Sequence, residues 1–335
     1  MKQYHNILIV KLSSLGDVIH ASPCAHALRE LFPSARISWI VEKNFAGLLV
    51  GSPALDEVIQ VDLDYLRKAP FLDGVAYLRA LKKDLRARRF DLVLDLQGLF
   101  KSALVAWMTG CPERYGYGEL REGSWLISQR VSGAHAKDHV IQRYLDVIRF
   151  LGSDVAEPTF PLPDFSLEKQ GVERLLTGCA PASKRIVFAP GTSKANKEWP
   201  VSHYAALAKL LSHEGWTFVI VGGNGDREKG RQLAELIGPA AVDLTGKTNL
   251  KELAALLSDA ALFVSGDTGP LHIAVAVGVP IVAMYGPTRP ERTGPYGKQT
   301  AVVRAAKEAG CLMAAITPGE VHQACRMQLD GQAKA

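Results

Sequence analysis

Three loops in this chain combine residue types that can move a proton or hold an anion. The first is Lys11-Leu12-Ser13-Ser14-Leu15-Gly16-Asp17-Val18-Ile19-His20, where glycine and aspartate stand at the start of an expected helix. The helix amides favour an ionised carboxylate there, so Asp17 can act as a general base for a hydroxyl. The same pair also serves as an ordinary turn with an acidic first helical turn, and His20 one turn on is either an orienting partner or a packed side chain. The second is Phe263-Val264-Ser265-Gly266-Asp267-Thr268-Gly269-Pro270-Leu271-His272, a strand, a glycine turn and a helix with proline in its first turn. Amides of Thr268 and Gly269 would point at a bound diphosphate, which glycine lets approach closely. Asp267 is awkward beside phosphate and suits sugar hydroxyls better. The third is Gly191-Thr192-Ser193-Lys194-Ala195-Asn196-Lys197-Glu198-Trp199-Pro200. Here Lys197 and Thr192 can meet a leaving diphosphate without a metal, unless the loop is only a polar turn capped by Trp199-Pro200.

Two further loops carry weaker signals. Val219-Ile220-Val221-Gly222-Gly223-Asn224-Gly225-Asp226 lacks the GxGxxG spacing of a dinucleotide fingerprint, so Asp226, or Glu228 behind it, is read as a candidate for ribose hydroxyls. Leu244-Thr245-Gly246-Lys247-Thr248 lacks the first glycine of a P-loop and implies no NTPase.

The elements that must position these loops alternate. Ile7–Val10, Ile37–Val41, Val58–Val61 and Leu92–Leu96 read as strands, with helices around Val18–Leu31, Tyr77–Arg88, Ser102–Met108 and His139–Leu151. Pro158-Thr159-Phe160-Pro161-Leu162-Pro163 cannot continue a helix and reads as a linker. The alternation restarts with strands at Arg185–Ala189, Thr217–Val221, Ala241–Leu244, Leu262–Ser265 and Pro280–Met284, and helices at Val201–Glu214, Asp226–Ile237, Leu250–Asp259 and Pro270–Val277. This predicts an α/β protein of two doubly wound parallel-sheet domains, at residues 1–157 and 167–316, joined by 158–166 and followed by a helix and frayed tail over 317–335. Ligands of such sheets bind beyond the carboxyl ends of the strands, so the chemistry belongs in the strand-to-helix loops facing an interdomain cleft.

Composition narrows the partners. The four apolar residues Ile7–Val10 make no signal-peptide core, which predicts a cytoplasmic protein. Cys24, Cys111, Cys179, Cys311 and Cys325 lie too far apart for metal spacing, so neither zinc nor disulfides are expected. Gly269–Thr288 has no charged residue, yet its prolines and glycines cut it into a buried helix and strand rather than a span. The net charge of +5 concentrates in Arg67, Lys68, Arg79, Lys82, Lys83, Arg86, Arg88 and Arg89. That run is either a solvated helix face or a surface for anionic lipid or acidic sugar, and no nucleic-acid module accompanies it.

Together KLSSLGDVIH, DLQGLFKSA at Asp95–Ala103, KEWP at Lys197–Pro200 and SGDTGPLHIAVAVGVPIVAMYGPT at Ser265–Thr288 resemble the ADP-heptose:lipopolysaccharide heptosyltransferases, glycosyltransferase family 9. The likeness runs from residue 7 to about 304. WIVEKNFAGL and DLQGLFKSALV are most similar to the heptosyltransferase I branch. The resemblance implies a GT-B fold and inverting transfer that needs neither metal nor cofactor. It implies ADP-heptose as donor and Kdo on lipid A as acceptor, at the cytoplasmic face of the inner membrane with peripheral contact. Carried over, Asp17 is the base, Lys197 a donor phosphate and sugar contact, and Asp267, Thr268 and Gly269 the donor loop with His272 beside it. Thr192 and Ser193 fall near the diphosphate, Asp226 stands where the family places a ribose-binding glutamate, and Thr248 borders the adenine where the branch has methionine. On the acceptor side stand Ser14 and Gly16 in the Asp17 loop, Arg67 and Lys68 in a thin basic loop, and Arg121. A second heptosyltransferase, an NAD-dependent oxidoreductase and a non-catalytic nucleotide-sugar binder are the competing readings.

Overall fold

Runs of β-branched and large apolar residues, buried on both faces, make the strands. Ile7, Leu8, Ile9 and Val10 are wholly shut from solvent, as are Ile186, Val187 and Phe188. Strands covered on both faces suit a parallel sheet between helices, which closes backbone hydrogen bonds without an exposed apolar face. The computed structural model describes residues 2–212, 215–297, 299–308 and 310–332. The chain divides between Asp164 and Phe165 into two units.

In the first unit, β1 (Asn6–Val10), β2 (Arg36–Glu42), β3 (Glu57–Val61), β4 (Leu92–Asp95), β5 (Arg114–Gly116) and β6 (Gln129–Arg130) form a sheet of order β3-β2-β1-β4-β5-β6. In the second, β7 (Arg185–Ala189), β8 (Thr217–Ile220), β9 (Ala241–Asp243), β10 (Leu262–Gly266), β11 (Ile281–Tyr285) and β12 (Thr300–Arg304) take the order β12-β11-β10-β7-β8-β9. Every pairing is parallel. In both sheets the chain winds outward on one side, then crosses back to wind outward on the other. Each therefore has one switch point, between β1 and β4 and between β7 and β10, where neighbouring loops part and leave a crevice.

The helix expected over Val18–Leu31 is two helices, Leu15–Ala21 and Pro23–Leu31, because Pro23 brings no N–H to the ladder and opens a new first turn. Arg67 and Lys68 lie not in a loop but in the last turn of a helix, Leu63–Lys68. The short strands β5 and β6 and the edge strand β12 carry too little periodicity to be read locally, and the helix over Ser166–Leu175, which packs on helix Leu250–Asp259, is not among the expected helices either. The helix expected over Val201–Glu214 runs from Val201 to Leu211, and residues 213–214 lie outside the described residues, as do 333–335 of the expected tail. The uncharged stretch Gly269–Thr288 forms the helix Gly269–Val277, buried over Leu271–Ala274 and half-buried elsewhere, and the buried strand β11. Among the described residues no helix is long and apolar enough to cross a membrane, and all five cysteines are free thiols.

Candidate active site

At the switch point of the first unit, Gln97 ties the two departing loops together. Its Oε1 accepts from the amides of Leu12 and Ser13 at 3.1 Å each, while Asp95 Oδ1 accepts from the amides of Gln97 and Gly98 at 3.1 and 2.9 Å. Asp17 then opens helix Leu15–Ala21 half-buried, its Oδ2 accepting from the Ser14 amide at 3.2 Å and the Ser14 hydroxyl at 2.9 Å. Asp17 thus does perform the helix-capping work of the simpler reading, and that work holds the carboxylate in place. Gly16 is buried beneath it. His20 is buried, with its ring edge-on to His139 at 5.3 Å.

Lys11 is the residue that local sequence gave no reason to single out. It is 2 % exposed, and its ammonium donates to the Leu96 carbonyl at 3.0 Å and the Tyr144 hydroxyl at 2.8 Å. Burial pushes it down to about 8, against the opposing pull of Asp17 and Asp95. Burial likewise drives the Tyr144 phenol well up, with Asp17 adding to it. Arg121 belongs to the same cluster: its amide donates to the Gly98 carbonyl at 2.8 Å, and its positive field reaches both Lys11 and Tyr117. The fold therefore brings Ser14, Gly16, Asp17 and Arg121 together. Arg67 and Lys68 follow β3, two strands away at the sheet edge, where Arg67 pairs with Asp64 at 3.1 Å.

The switch point of the second unit gathers the other candidates. Lys197, from the loop after β7, meets Asp267, from the loop after β10, with Nζ and Oδ2 2.5 Å apart and both side chains 18 % exposed. Gly266 makes the approach possible, since a Cβ there would stand 2.9 Å from the Lys197 carbonyl oxygen. Thr268 is the N-cap of helix Gly269–Val277, and no side chain caps its first turn, so the leading amides of Gly269 and its neighbours face outward. His272 is buried within that helix. The Thr192 hydroxyl closes its own loop onto the Lys194 carbonyl at 2.7 Å, and Ser193 is exposed beside it.

Moving outward, Asp226 follows β8. Its Oδ2 accepts from the Gly223 amide at 2.9 Å, and its carboxylate fills the space above Gly191 and Gly222. A pyrophosphate laid on that turn would meet this carboxylate, which speaks against a dinucleotide. Glu228 is taken up by Arg231 at 2.6 Å. The loop of half-buried Thr248 is stitched to the Asp226 loop, with the Gly246 amide donating to the Gly222 carbonyl at 2.9 Å. The candidates thus line up in strand order: Thr248, Asp226, the Thr192–Lys197 loop, then Asp267 to Gly269.

Beyond Asp267 lies a feature the sequence reading missed, a cavity of about 740 Å³ lined by Lys197, Asp267, Thr288, Arg289, Arg304 and Lys307 among others. Its cations come from three separate segments, so no local run announced it. Buried Tyr285 follows on β11, its phenol raised by burial and by the charge of Asp267. Among the described residues no three His, Cys, Asp or Glu side chains are grouped to hold a metal ion.

Two doubly wound sheets, one with a fixed carboxylate and one with a cation and free helix amides at its switch point, define a group-transfer enzyme acting on an anionic donor. Residues 78–315 match the family model for glycosyltransferase family 9 (heptosyltransferase). The chain is 32% identical to lipopolysaccharide heptosyltransferase 1 of Pseudomonas aeruginosa, covering 87% of this chain and 81% of that protein. Among solved structures, E. coli heptosyltransferase WaaC with ADP superposes with a TM-score of 0.81 at 30% identity over 96% of this chain and 99% of that one. E. coli ADP-heptose LPS heptosyltransferase II gives 0.81 at 27% identity over 98% and 100%. The chain belongs to glycosyltransferase family 9. It is a glycosyltransferase of the heptosyltransferase kind with the GT-B architecture of those relatives.

Proposed function

We propose that this glycosyltransferase moves L-glycero-D-manno-heptose from ADP-heptose to Kdo of lipid A-linked inner-core lipopolysaccharide. Asp17 takes the proton of the acceptor hydroxyl as its oxygen bonds to the anomeric carbon from the opposite face. The carbon–oxygen bond to the β-phosphate breaks in the same step, and its electron pair leaves with ADP. Lys197 and the amides of Thr268 and Gly269 meet the charge that develops on the diphosphate, so this chemistry asks for no metal. Asp267 holds the Lys197 ammonium in position and accepts from donor-sugar hydroxyls. Thr192 and Ser193 flank the diphosphate, Asp226 the ribose and Thr248 the adenine, in the spatial order of the strands that carry them.

The observation that carries the reading is the Lys197–Asp267 pair beside an uncapped helix start at the switch point. WaaC with ADP and heptosyltransferase 1, at 30% and 32% identity, support the adenine nucleotide and the first heptosylation. For the acceptor, Arg67 and Lys68 precede Phe71 and Leu72, which are 83% and 77% exposed. Cations next to exposed apolar side chains suit an acceptor with phosphates and acyl chains, and peripheral contact with the inner membrane surface.

The test is ADP release from ADP-heptose with Kdo-lipid A and with Kdo-lipid A already carrying one heptose. Turnover on the first alone supports the reading. Turnover on the second alone reassigns the protein to the second heptosylation, and no turnover with ADP-heptose on either refutes the donor. Activity should persist in EDTA, and a loss restored by magnesium would overturn the account of the leaving group.

A further inference from the structure

Of the residues that line the cavity beyond Asp267, the transfer step as described uses only Lys197 and Asp267. We propose that it receives the carboxylate of the acidic acceptor sugar, with Arg289 and Lys307 as its ligands. The proposal rests on the transfer reading above and adds an acceptor contact in the second unit, which nothing else assigns.

Charge is the first ground. Within the cavity Lys197 is paired with Asp267 at 2.5 Å and Arg304 with Glu291 at 2.5 Å. Arg289 and Lys307, both exposed, make no ion pair with a carboxylate among the described residues, although the charge of Arg289 also reaches Glu291, and with Arg292 in the lining the walls keep an excess of positive charge. Cations crowded without counter-charges repel one another, and a bound anion relieves that repulsion. The hydrogen-bonding inventory is the second ground. Thr288 lines the same cavity, and its hydroxyl has no hydrogen-bond partner among the described residues.

Chemical necessity identifies the anion. The donor's diphosphate is already met by Lys197 and the helix amides, and a heptose is neutral, so the donor explains none of Arg289, Lys307 or Thr288. The acceptor oxygen must reach the anomeric carbon of a donor held by Lys197 and Asp267, and both residues line this cavity of about 740 Å³. That volume lies within the usual range of small-molecule sites, roughly 300–1,000 Å³. A guanidinium offers a carboxylate two parallel N–H donors, a fit no neutral hydroxyl repeats.

The experiment compares wild type with the R289A/K307A double variant on two acceptors, Kdo-lipid A and the same acceptor with its Kdo carboxylate converted to the methyl ester. Both residues are exposed, so the variant should keep its melting temperature and its affinity for ADP by calorimetry. Acceptor KM should rise about tenfold with kcat little changed, the scale of a solvent-accessible charge-assisted contact. On the ester, wild type should lose about as much, and the variant nothing further, because the two changes remove one interaction. An unchanged acceptor KM in the variant would overturn the proposal, as would an equal penalty on acid and ester. A matching fall in ADP affinity would overturn it too, assigning the cations to the donor phosphates. Wild type that moves no heptose to either acceptor would refute the transfer reading itself, a result separable from all of these.

Discussion

The two units share one strand order, and their switch points nevertheless have opposite characters. In the first unit the protein's own polar groups meet one another across the crevice: Lys11 donates to Leu96 and Tyr144, Asp95 Oδ1 accepts from the amides of Gln97 and Gly98, and buried Arg143 pairs with Glu119 at 2.7 Å, while Asp95 Oδ2 stays buried without a hydrogen-bond partner among the described residues. Asp17 is half-buried, and Ser14 and Arg121 are exposed. In the second unit Lys197 pairs with Asp267 and Arg304 with Glu291, yet cations remain in excess around an open cavity, and a helix starts without a side-chain cap. Topology thus chooses where a ligand can sit, and side chains choose what it is. A network of bonds within the protein holds one carboxylate in place, as a base needs. An unsatisfied cationic site stores its stabilisation for an anion yet to arrive.

The sharpest way to break this contrast is Asp17→Ala. Steady-state kinetics should show kcat reduced by ~10²–10⁴, with ADP affinity unchanged because the proposed nucleotide contacts are all in the other unit. Near-normal turnover would remove Asp17 from the mechanism. Lys197→Ala should act in the opposite place, lowering kcat/KM by roughly 10² and weakening ADP binding, since it strips a cation from the leaving group and leaves Asp267 unpaired. Adding Asp267→Asn should recover part of the ADP affinity in calorimetry, and no recovery would mean the aspartate does not oppose the diphosphate.

Lys11 probes the closed network. Its folded value, about 8, lies below its ordinary 10.5. The folded state therefore binds fewer protons than the unfolded chain between those values, and stability rises with pH across that window. The cost of the buried ammonium is fully present below about pH 8 and relieved toward pH 10.5. Denaturant unfolding of wild type should gain on the order of 3 kcal/mol over that range relative to Lys11→Met, which lacks the titrating group. Parallel pH profiles would mean that Lys11 titrates normally.

The smallest effect is expected at the sheet edge. Arg67→Ala with Lys68→Ala should raise acceptor KM several-fold at low salt and flatten its salt dependence, as exposed charges are screened over ~8–10 Å at physiological ionic strength. Unaltered KM at low salt would move acceptor binding toward Arg121.

Periodicity made both sheets and most helices legible, because burial on two faces leaves a continuous apolar run and burial on one leaves a 3.6-residue stripe. The elements it missed are those with little to bury. Strand β6 is two exposed residues, and β12 is an edge strand of mostly half-exposed ones. Glycine, aspartate and lysine at strand ends marked Asp17, Lys197 and Asp267, because a turn into a helix has its own local chemistry. The same local view placed Arg67 and Lys68 in a loop, although Asp62 caps a helix there by accepting from the Tyr65 amide at 2.7 Å.

What the sequence alone determined is therefore the alternation of elements, the loops at their junctions and the residue types those loops present. Tertiary structure decided which loops become neighbours. Lys197 and Asp267 are 70 positions apart, and they meet because β7 and β10 pair across the crossover. It also decided that Lys11 is sealed under Tyr144, 133 positions away, and that Arg289 and Lys307 share a cavity with Lys197. The physical reason is range: propensity and amphipathic period act over a turn or a strand, whereas desolvation and Coulombic pairing depend on distance in space, which strand order sets.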